Sequence, residues 1–390
     1  MKIQNVTLGL ALSAADFDAA ATGIRQVESK IKEAAISLRT VENILRGAGY
    51  EVKSARLALN SFEEWLSASD SVVAAEHLRL LHTVLENNDI SSCSLGNCSD
   101  ISNLRMVPTV LSISNRFCCS FSVLAPGDSC PPAYDKCAAL AEAILRLRST
   151  ASVDANSFSF CGAFNVSSDS PIGPAAYHDS ALAPTVSIAL ENADLLFLAF
   201  HAADSTEEAA DNLKSTIRQA VSPLHDIAIK ACFEASVQYG GIDLSVQPGN
   251  TPQDSVAVGI ESLKPHYFGT PGTLSALAVV AAALEEVQQD ENIKTCGFGG
   301  VCLRVLSDVQ LATRAAENPP AFSMQDLLSY TAVSGVGLDC VPISGDVSVA
   351  ALSALLLDVG ALSFRTTKAM MCRFIPVSDS RAGEITTFPS

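Results

Sequence analysis

The sequence predicts an α/β protein in which about ten strands form a closed or nearly closed barrel with outer helices. Three observations predict it. Strand-like and helix-period runs alternate along most of the chain, which argues for a parallel sheet with covering helices. About ten strands are too many for a small open sheet, and closure removes the edges. No fixed-period repeat and no low-complexity linker divides the 390 residues, so a single domain over 1–390 is expected.

The elements follow in order. Ile3, Val6, Leu8, Leu10 and Leu12 nearly alternate with small or polar residues, so the opening run reads as a strand instead of a signal peptide. A cytoplasmic chain is the corresponding expectation. Phe17, Ala20, Ile24, Val27, Ile31, Ala34, Leu38, Val41 and Leu45 recur at helical spacing and predict one long amphipathic helix. Tyr50 to Leu59 reads as the second strand, and Val72 to Leu85 as the second helix. Further strand-like runs lie near Ile90 to Cys98, Phe117 to Leu124, Phe158 to Asn165, Ala193 to Phe200 and Ile242 to Gln247. The remaining ones lie near Cys296 to Val305, Leu338 to Ile343 and Met370 to Val377. Helical periods run from Thr206 to Gln238, with a kink expected at Pro223, from Gly272 to Gln288 and from Val347 to Leu357.

Composition narrows the function. Hydrophobic residues are 48% and charged residues 17%, which excludes disorder for most of the length. Mean hydropathy is +0.28, yet no apolar run reaches the roughly 18 residues of a spanning helix. A net charge of −17 repels phosphate backbones and anionic bilayers. Nucleic-acid and membrane partners are therefore not expected. The twelve cysteines include no Cys-x-x-Cys pair and read mostly as small buried residues, with no metal site. Walker A, His-Glu-x-x-His and Gly-x-Ser-x-Gly sequences are absent. Gly297-Phe298-Gly299-Gly300-Val301-Cys302 approaches a dinucleotide fingerprint but has Cys302 at the third glycine, and its glycines equally suit close backbone approach beside a strand. No cofactor is assigned.

The second half carries a run of motifs. Gly241-Ile242-Asp243-Leu244-Ser245-Val246-Gln247-Pro248 is followed by Asp254-Ser255-Val256-Ala257, Phe268-Gly269-Thr270-Pro271-Gly272-Thr273 and Gly299-Gly300-Val301. Ser334-Gly335-Val336-Gly337-Leu338-Asp339 and Lys368-Ala369-Met370-Met371-Cys372-Arg373-Phe374-Ile375-Pro376-Val377 complete the series. In this order and spacing the chain resembles domain-of-unknown-function family 711, also called uncharacterised protein family 0210. The resemblance spans about 1–385 and is carried chiefly by the part after residue 240. It implies a pyruvate formate-lyase-like, ten-stranded α/β barrel. No match to the glycyl radical loop occurs, so a glycyl radical mechanism is not expected. Three departures from the family pattern stand out: Pro271 in place of a His, Asp179 after His178 in place of Gly, and an end at Ser390 where the family continues into a Gly-Gly-containing segment. Each favours a non-catalytic member.

Candidate site residues follow, each with a plainer alternative. Cys118, at the position of the family's single Cys, is a candidate nucleophile if a cation such as Arg116 favours its thiolate; otherwise it is a buried thiol. His178 is a candidate acid or base. His201 is expected at the mouth of a strand, whereas His77, His82, His225 and His266 read as helix-face or surface residues. Asp243 and Ser245 share one strand face by period two; Asp243 is a candidate base, or the pair satisfies barrel backbone. Thr270, Gly272 and Thr273 precede a helix and either present donors to an anion or cap that helix. Gly299, Gly300, Asp339, Lys368 and Arg373, with Arg304 and Arg365 as further cations, complete the ligand-binding set. The expected function is an enzyme, of lyase or hydrolase type, acting on a small anionic metabolite in a barrel pocket. The alternative is a non-catalytic binding or assembly protein that keeps the barrel. Homo-oligomerisation suits a chain this apolar.

Overall fold

The computed structural model describes residues 1–18, 25–66, 71–147, 158–263, 267–377, 381 and 384. His266 and positions 20 and 24 of the expected first helix lie outside them. Nine strands form one sheet: β1 Lys2–Leu10, β2 Val52–Leu59, β3 Cys93–Cys98, β4 Phe117–Leu124, β5 Phe160–Phe164, β6 Thr185–Glu191, β7 Gln238–Asp243, β8 Val336–Ser344 and β9 Met370–Val377. Their order is β7-β6-β1-β2-β3-β4-β5-β9-β8. Most neighbours are parallel, but β1 with β6 and β5 with β9 are antiparallel. The sheet is therefore mixed, not wholly parallel as expected.

The expected tenth strand, Cys296 to Val305, does not form, and the nine-stranded sheet is not closed by strand pairing. In its place an irregular segment touches both edges. Cys296 N–H donates to Ile242 of β7 at 3.1 Å, and Leu306 N–H donates to Cys340 of β8 at 3.2 Å. Among the described residues its strand-type pairing is limited to two isolated bridges, Ile242 with Thr295 and Val246 with Val301.

Two further expectations are corrected. The apolar run from Ala193 is a helix, Ala193–His201, packed against helix Thr206–Glu234. Ala193, Leu195, Leu196, Ala199 and Phe200 are buried at helical spacing, a pattern that a short apolar run hides. His201 accordingly stacks on Phe197 at a helix end, 5.3 Å between centroids, and not at a strand mouth. The missed strand is β6, whose Val186, Ile188 and Leu190 alternate with Ser187, Ala189 and Glu191. Pro223 is accommodated inside the continuous helix Thr206–Glu234, and His225 on that helix is buried, its Nε2 accepting from Lys294 N–H at 2.9 Å.

Helix Val349–Thr366 is long and apolar enough, by length and composition, to cross a bilayer, although charged residues interrupt its apolar run. It carries Asp358 and Arg365 and packs against helix Tyr134–Leu147, burying Leu352, Leu356 and Val359.

The strand pleat sorts side chains onto two faces. One face carries Leu8, Leu57, Phe117, Phe121, Phe160, Phe164 and Ile188, all nearly inaccessible and belonging to the main core with the helices. Each such aromatic or aliphatic side chain contributes roughly 1.5–3 kcal/mol by leaving water. The other face is small and polar: Asn5 and Thr7 on β1, Ser54 and Arg56 on β2, Ser94 on β3, and Cys118, Ser120 and Ser122 on β4. The chain between β5 and β6 crosses this second face. Thr7 Oγ1 donates to Pro171 O at 3.0 Å, Ser94 Oγ donates to Ala176 O at 2.6 Å, and His178 N–H donates to Leu59 O at 3.0 Å.

Candidate functional site

Asp339 on β8 is the centre of the polar face's charge. Its carboxylate accepts Arg373 Nε at 2.7 Å on Oδ1 and, on Oδ2, Arg373 Nη2 at 3.0 Å and Arg304 Nε at 2.6 Å. Arg373 Nη1 also donates to Phe158 O at 3.1 Å. Asp339 is fully buried, and Arg304 and Arg373 are 8% and 9% exposed. Burial alone pushes the Asp339 carboxyl up, but the charges and hydrogen bonds of Arg373 and Arg304 outweigh it and hold it at about 2. Burial also works against the charge on Arg373 and Arg304, yet the carboxylate moves both up.

A third guanidinium belongs to the same field. Arg56 is lowered from its ordinary value by burial and by the positive charges of Arg304 and Arg373, with the Cys118 sulfur opposing. Among the described residues no carboxylate lies within ion-pair distance of it. Its Nη2 donates to Ser54 Oγ at 3.2 Å, and its Nε is buried without a partner. At Gly173 a β-carbon would stand 2.8 Å from Arg56 Nη1 and 3.6 Å from Cys118 Sγ, so loop, cation and thiol meet there. Sequence reasoning missed Arg56. Its signal was available: it shares a strand face with Ser54 by period two, directly before the apolar Leu57-Ala58-Leu59 end of the strand.

Cys118 is buried, and burial raises its thiol; Arg56, the Ser94 hydroxyl and Arg373 pull it back without cancelling the rise. Arg116, the cation expected to act on it, instead donates to Ile90 O at 2.9 Å. His178 is lowered by burial, the Leu182 carbonyl and the Asp179 charge opposing. Its Nε2 faces Leu182 O at 3.2 Å.

Asp243 and Ser245 hold the glycine loop. Asp243 Oδ1 accepts Ser245 Oγ at 2.5 Å, Ser245 N–H at 2.8 Å and Gly299 N–H at 3.2 Å, while Oδ2 accepts Phe298 N–H at 3.0 Å. Ser245 Oγ in turn accepts Gly300 N–H at 3.3 Å. Burial raises the Asp243 carboxyl, and these donors partly offset it. Gly297 has φ +75°, and a β-carbon there would fall on the carboxylate, 2.7 Å from its Cγ. The loop is glycine-rich because the carboxylate needs that space.

The remaining expected residues lie elsewhere. Thr270 Oγ1 donates to Tyr267 O at 2.7 Å, Thr273 Oγ1 accepts Gly269 N–H at 3.0 Å, and Gly272, φ +112°, caps helix Thr273–Gln288. Among the described residues no hydrogen bond or ion pair of this turn reaches Asp339, Arg304 or Arg373. Lys368 pairs with Glu285 at 2.7 Å, with both side chains partly exposed.

Fold and site together define a mixed α/β protein with a buried arginine–carboxylate cluster on the polar face of its sheet. The chain belongs to the family described as Uncharacterised ACR (DUF711), whose model matches residues 1–389. A "UPF0210 protein" of Pyrobaculum islandicum is 27% identical over 370 residues, covering 88% of this chain and 78% of that protein. Another, of Lacticaseibacillus paracasei, is 31% identical over 186 residues, covering 48% and 41% respectively. A third, of Desulforudis audaxviator, is 34% identical over 155 residues, covering 39% and 33%. The chain thus spans less than half the length of the last two. Among solved structures, the anaerobic ribonucleotide reductase of Thermotoga maritima is similar with a TM-score of 0.41 and 10% identity, covering 96% of this chain and 79% of that one.

Proposed function

We propose that the polar face of the sheet holds a small anionic metabolite and that the protein is an enzyme acting on it. One observation carries this reading: Arg304 and Arg373 share the single carboxylate of Asp339, while a third guanidinium on the same sheet face, Arg56, has no carboxylate within ion-pair distance among the described residues, inside a chain whose net charge is −17. Buried charges are ordinarily paired. A cation excess on a sequestered polar face favours an anionic ligand, and arginine suits carboxylate and phosphate geometry.

In this reading the arginines bind, Asp339 fixes Arg304 and Arg373, and Asp243 with Ser245 positions the amides of the 297–300 loop. Cys118 beside Arg56 is the nucleophile candidate. His178, kept neutral by burial, is the acid or base candidate. The sheet curls into the pyruvate formate-lyase-like barrel with the 294–306 segment in the tenth place. One fact supports the curl: that segment bonds both edge strands. The whole chain is then one cytoplasmic domain without nucleic-acid or membrane partners.

The test is to denature the purified protein and examine the released small molecules by mass spectrometry. An acidic metabolite in stoichiometric amount, converted on incubation with wild type but not with Cys118→Ala, supports the enzyme. The second reading, a non-catalytic binder, is favoured by the raised Cys118 thiol and by Pro271; there the metabolite is released unchanged from both proteins. Release of no anion, with no response to added anions, overturns both.

A further inference from the structure

We infer that the ligand is a compact dianion, a phosphate group or a short dicarboxylate, and that Arg56 is the residue that grips it. The inference rests on the anion reading above and extends it to charge and contact.

Charge comes first. Asp339 pairs with Arg304 and Arg373, and the partly buried Arg56 has no carboxylate within ion-pair distance among the described residues, so three guanidinium groups on this polar face are offset by one carboxylate and two positive charges stay uncompensated. The surrounding thiols do not supply the missing charge, since burial raises Cys118, Cys161, Cys302 and Cys340 alike. Asp243 is turned to backbone amides and forms no ion pair with the arginines. A ligand with two negative charges neutralises the cluster; a monoanion leaves one cation over.

Contact comes second. Arg304 and Arg373 spend their Nε groups on Asp339. Among the described residues Arg56 bonds only the Ser54 hydroxyl, and its Nε has no partner. Ser120 Oγ, on the same sheet face, is likewise buried and unpartnered. Arg56 keeps accessible surface although β1 and β3 pair with β2 on both sides and helix Gln26–Gly47 covers the opposite face. That surface lies on the polar face, beside Gly173 and Cys118.

A cation retained without a partner lowers stability until the ligand arrives. This gives Arg56 a signature that a structural arginine lacks. In the full-length protein at pH 8 and constant ionic strength, inorganic phosphate or malonate should raise the unfolding midpoint by about 2 °C or more, and acetate by much less. Whichever of phosphate and malonate acts more strongly names the source. Arg56→Met should raise the ligand-free midpoint by about 1–3 °C and abolish the response. Arg56→Lys, which keeps the charge but loses the fork, should retain a response with affinity reduced on the order of tenfold.

Acetate matching malonate overturns the dianion while leaving the anion reading intact. A response that survives Arg56→Met, or a ligand-free midpoint that falls in that variant, overturns the role of Arg56. Should Arg56→Met not fold, an unchanged affinity in Arg56→Lys overturns that role instead. No response of the wild type to any anion sinks this inference and the anion reading together.

Discussion

Arg373 grips Asp339 through two parallel hydrogen bonds, Nε to Oδ1 at 2.7 Å and Nη2 to Oδ2 at 3.0 Å, joining β9 to β8 across a buried face. This fork is the fixed half of the site. Arg304 reaches the same carboxylate from the 294–306 segment, so a single side chain ties the last two strands to the chain that spans the sheet's edges.

Removing that carboxylate should therefore be severe. Asp339→Asn leaves the guanidinium groups of Arg304 and Arg373 buried without a counter-charge, at a cost of about 3–5 kcal/mol. Urea unfolding measures it. Combining Asp339→Leu with Arg373→Met should recover a large part of the loss, whereas additive losses would show that the fork does not act as a pair.

The two buried aspartates should respond to pH with opposite signs. Asp339 is lowered from 3.8 to about 2, so its contribution, roughly 2 kcal/mol, is present above pH 4 and lost as pH falls through 2. Asp243 is raised, so its contribution is present below pH 3.8 and lost as pH rises through the raised value. The stability gap between wild type and Asp339→Asn should shrink on acidification, and the gap to Asp243→Asn should widen. Unfolding curves from pH 3 to pH 7 decide the matter.

Gly297→Ala should strain the loop that Asp243 organises. The position has φ +75°, and the new β-carbon would overlap the carboxylate. The backbone strain alone costs on the order of 1–3 kcal/mol. Amide hydrogen exchange at Phe298 and Gly299, both donors to Asp243, should accelerate by at least tenfold relative to the rest of the sheet; uniform exchange would deny the loop its dependence on Asp243.

Gly173→Ala should separate binding from folding. Its β-carbon meets the tip of Arg56, a flexible end that can move aside, so the stability cost should stay within about 1 kcal/mol. Anion response should fall because the guanidinium is displaced. A variant that binds phosphate or malonate like the wild type would place the ligand away from Gly173.

Thiol chemistry should single out one cysteine. Cys130 is exposed, Cys296 is intermediate and the other ten are buried. Brief iodoacetamide treatment of the native protein should add one label, at Cys130. Cys118 should react only slowly at pH 8, because burial raises its thiol, and Arg56→Met should slow it further by removing the largest opposing charge. Rapid labelling of Cys118 would mean an open, thiolate-bearing site.

Local pattern carried much of this protein. The alternation of β1 and the near-continuous apolar run of β4, and the three-to-four spacing of helices such as Gln26–Gly47, could be read because each element buries a stripe of side chains set by its own period. Asp243, Asp339 and Arg373 were legible as polar residues set in strands that are otherwise small or apolar. Where several sides of an element are buried, period is lost, and Ala193–His201 passed for a strand for that reason. Arg56 was legible only as a charge within a strand. Its lack of a carboxylate among the described residues, and its meeting with Gly173 and Cys118, depend on how the sheet curves and where the 166–178 segment crosses it. Those are relations between residues far apart in the chain, and side-chain chemistry at one position does not encode its distance to another.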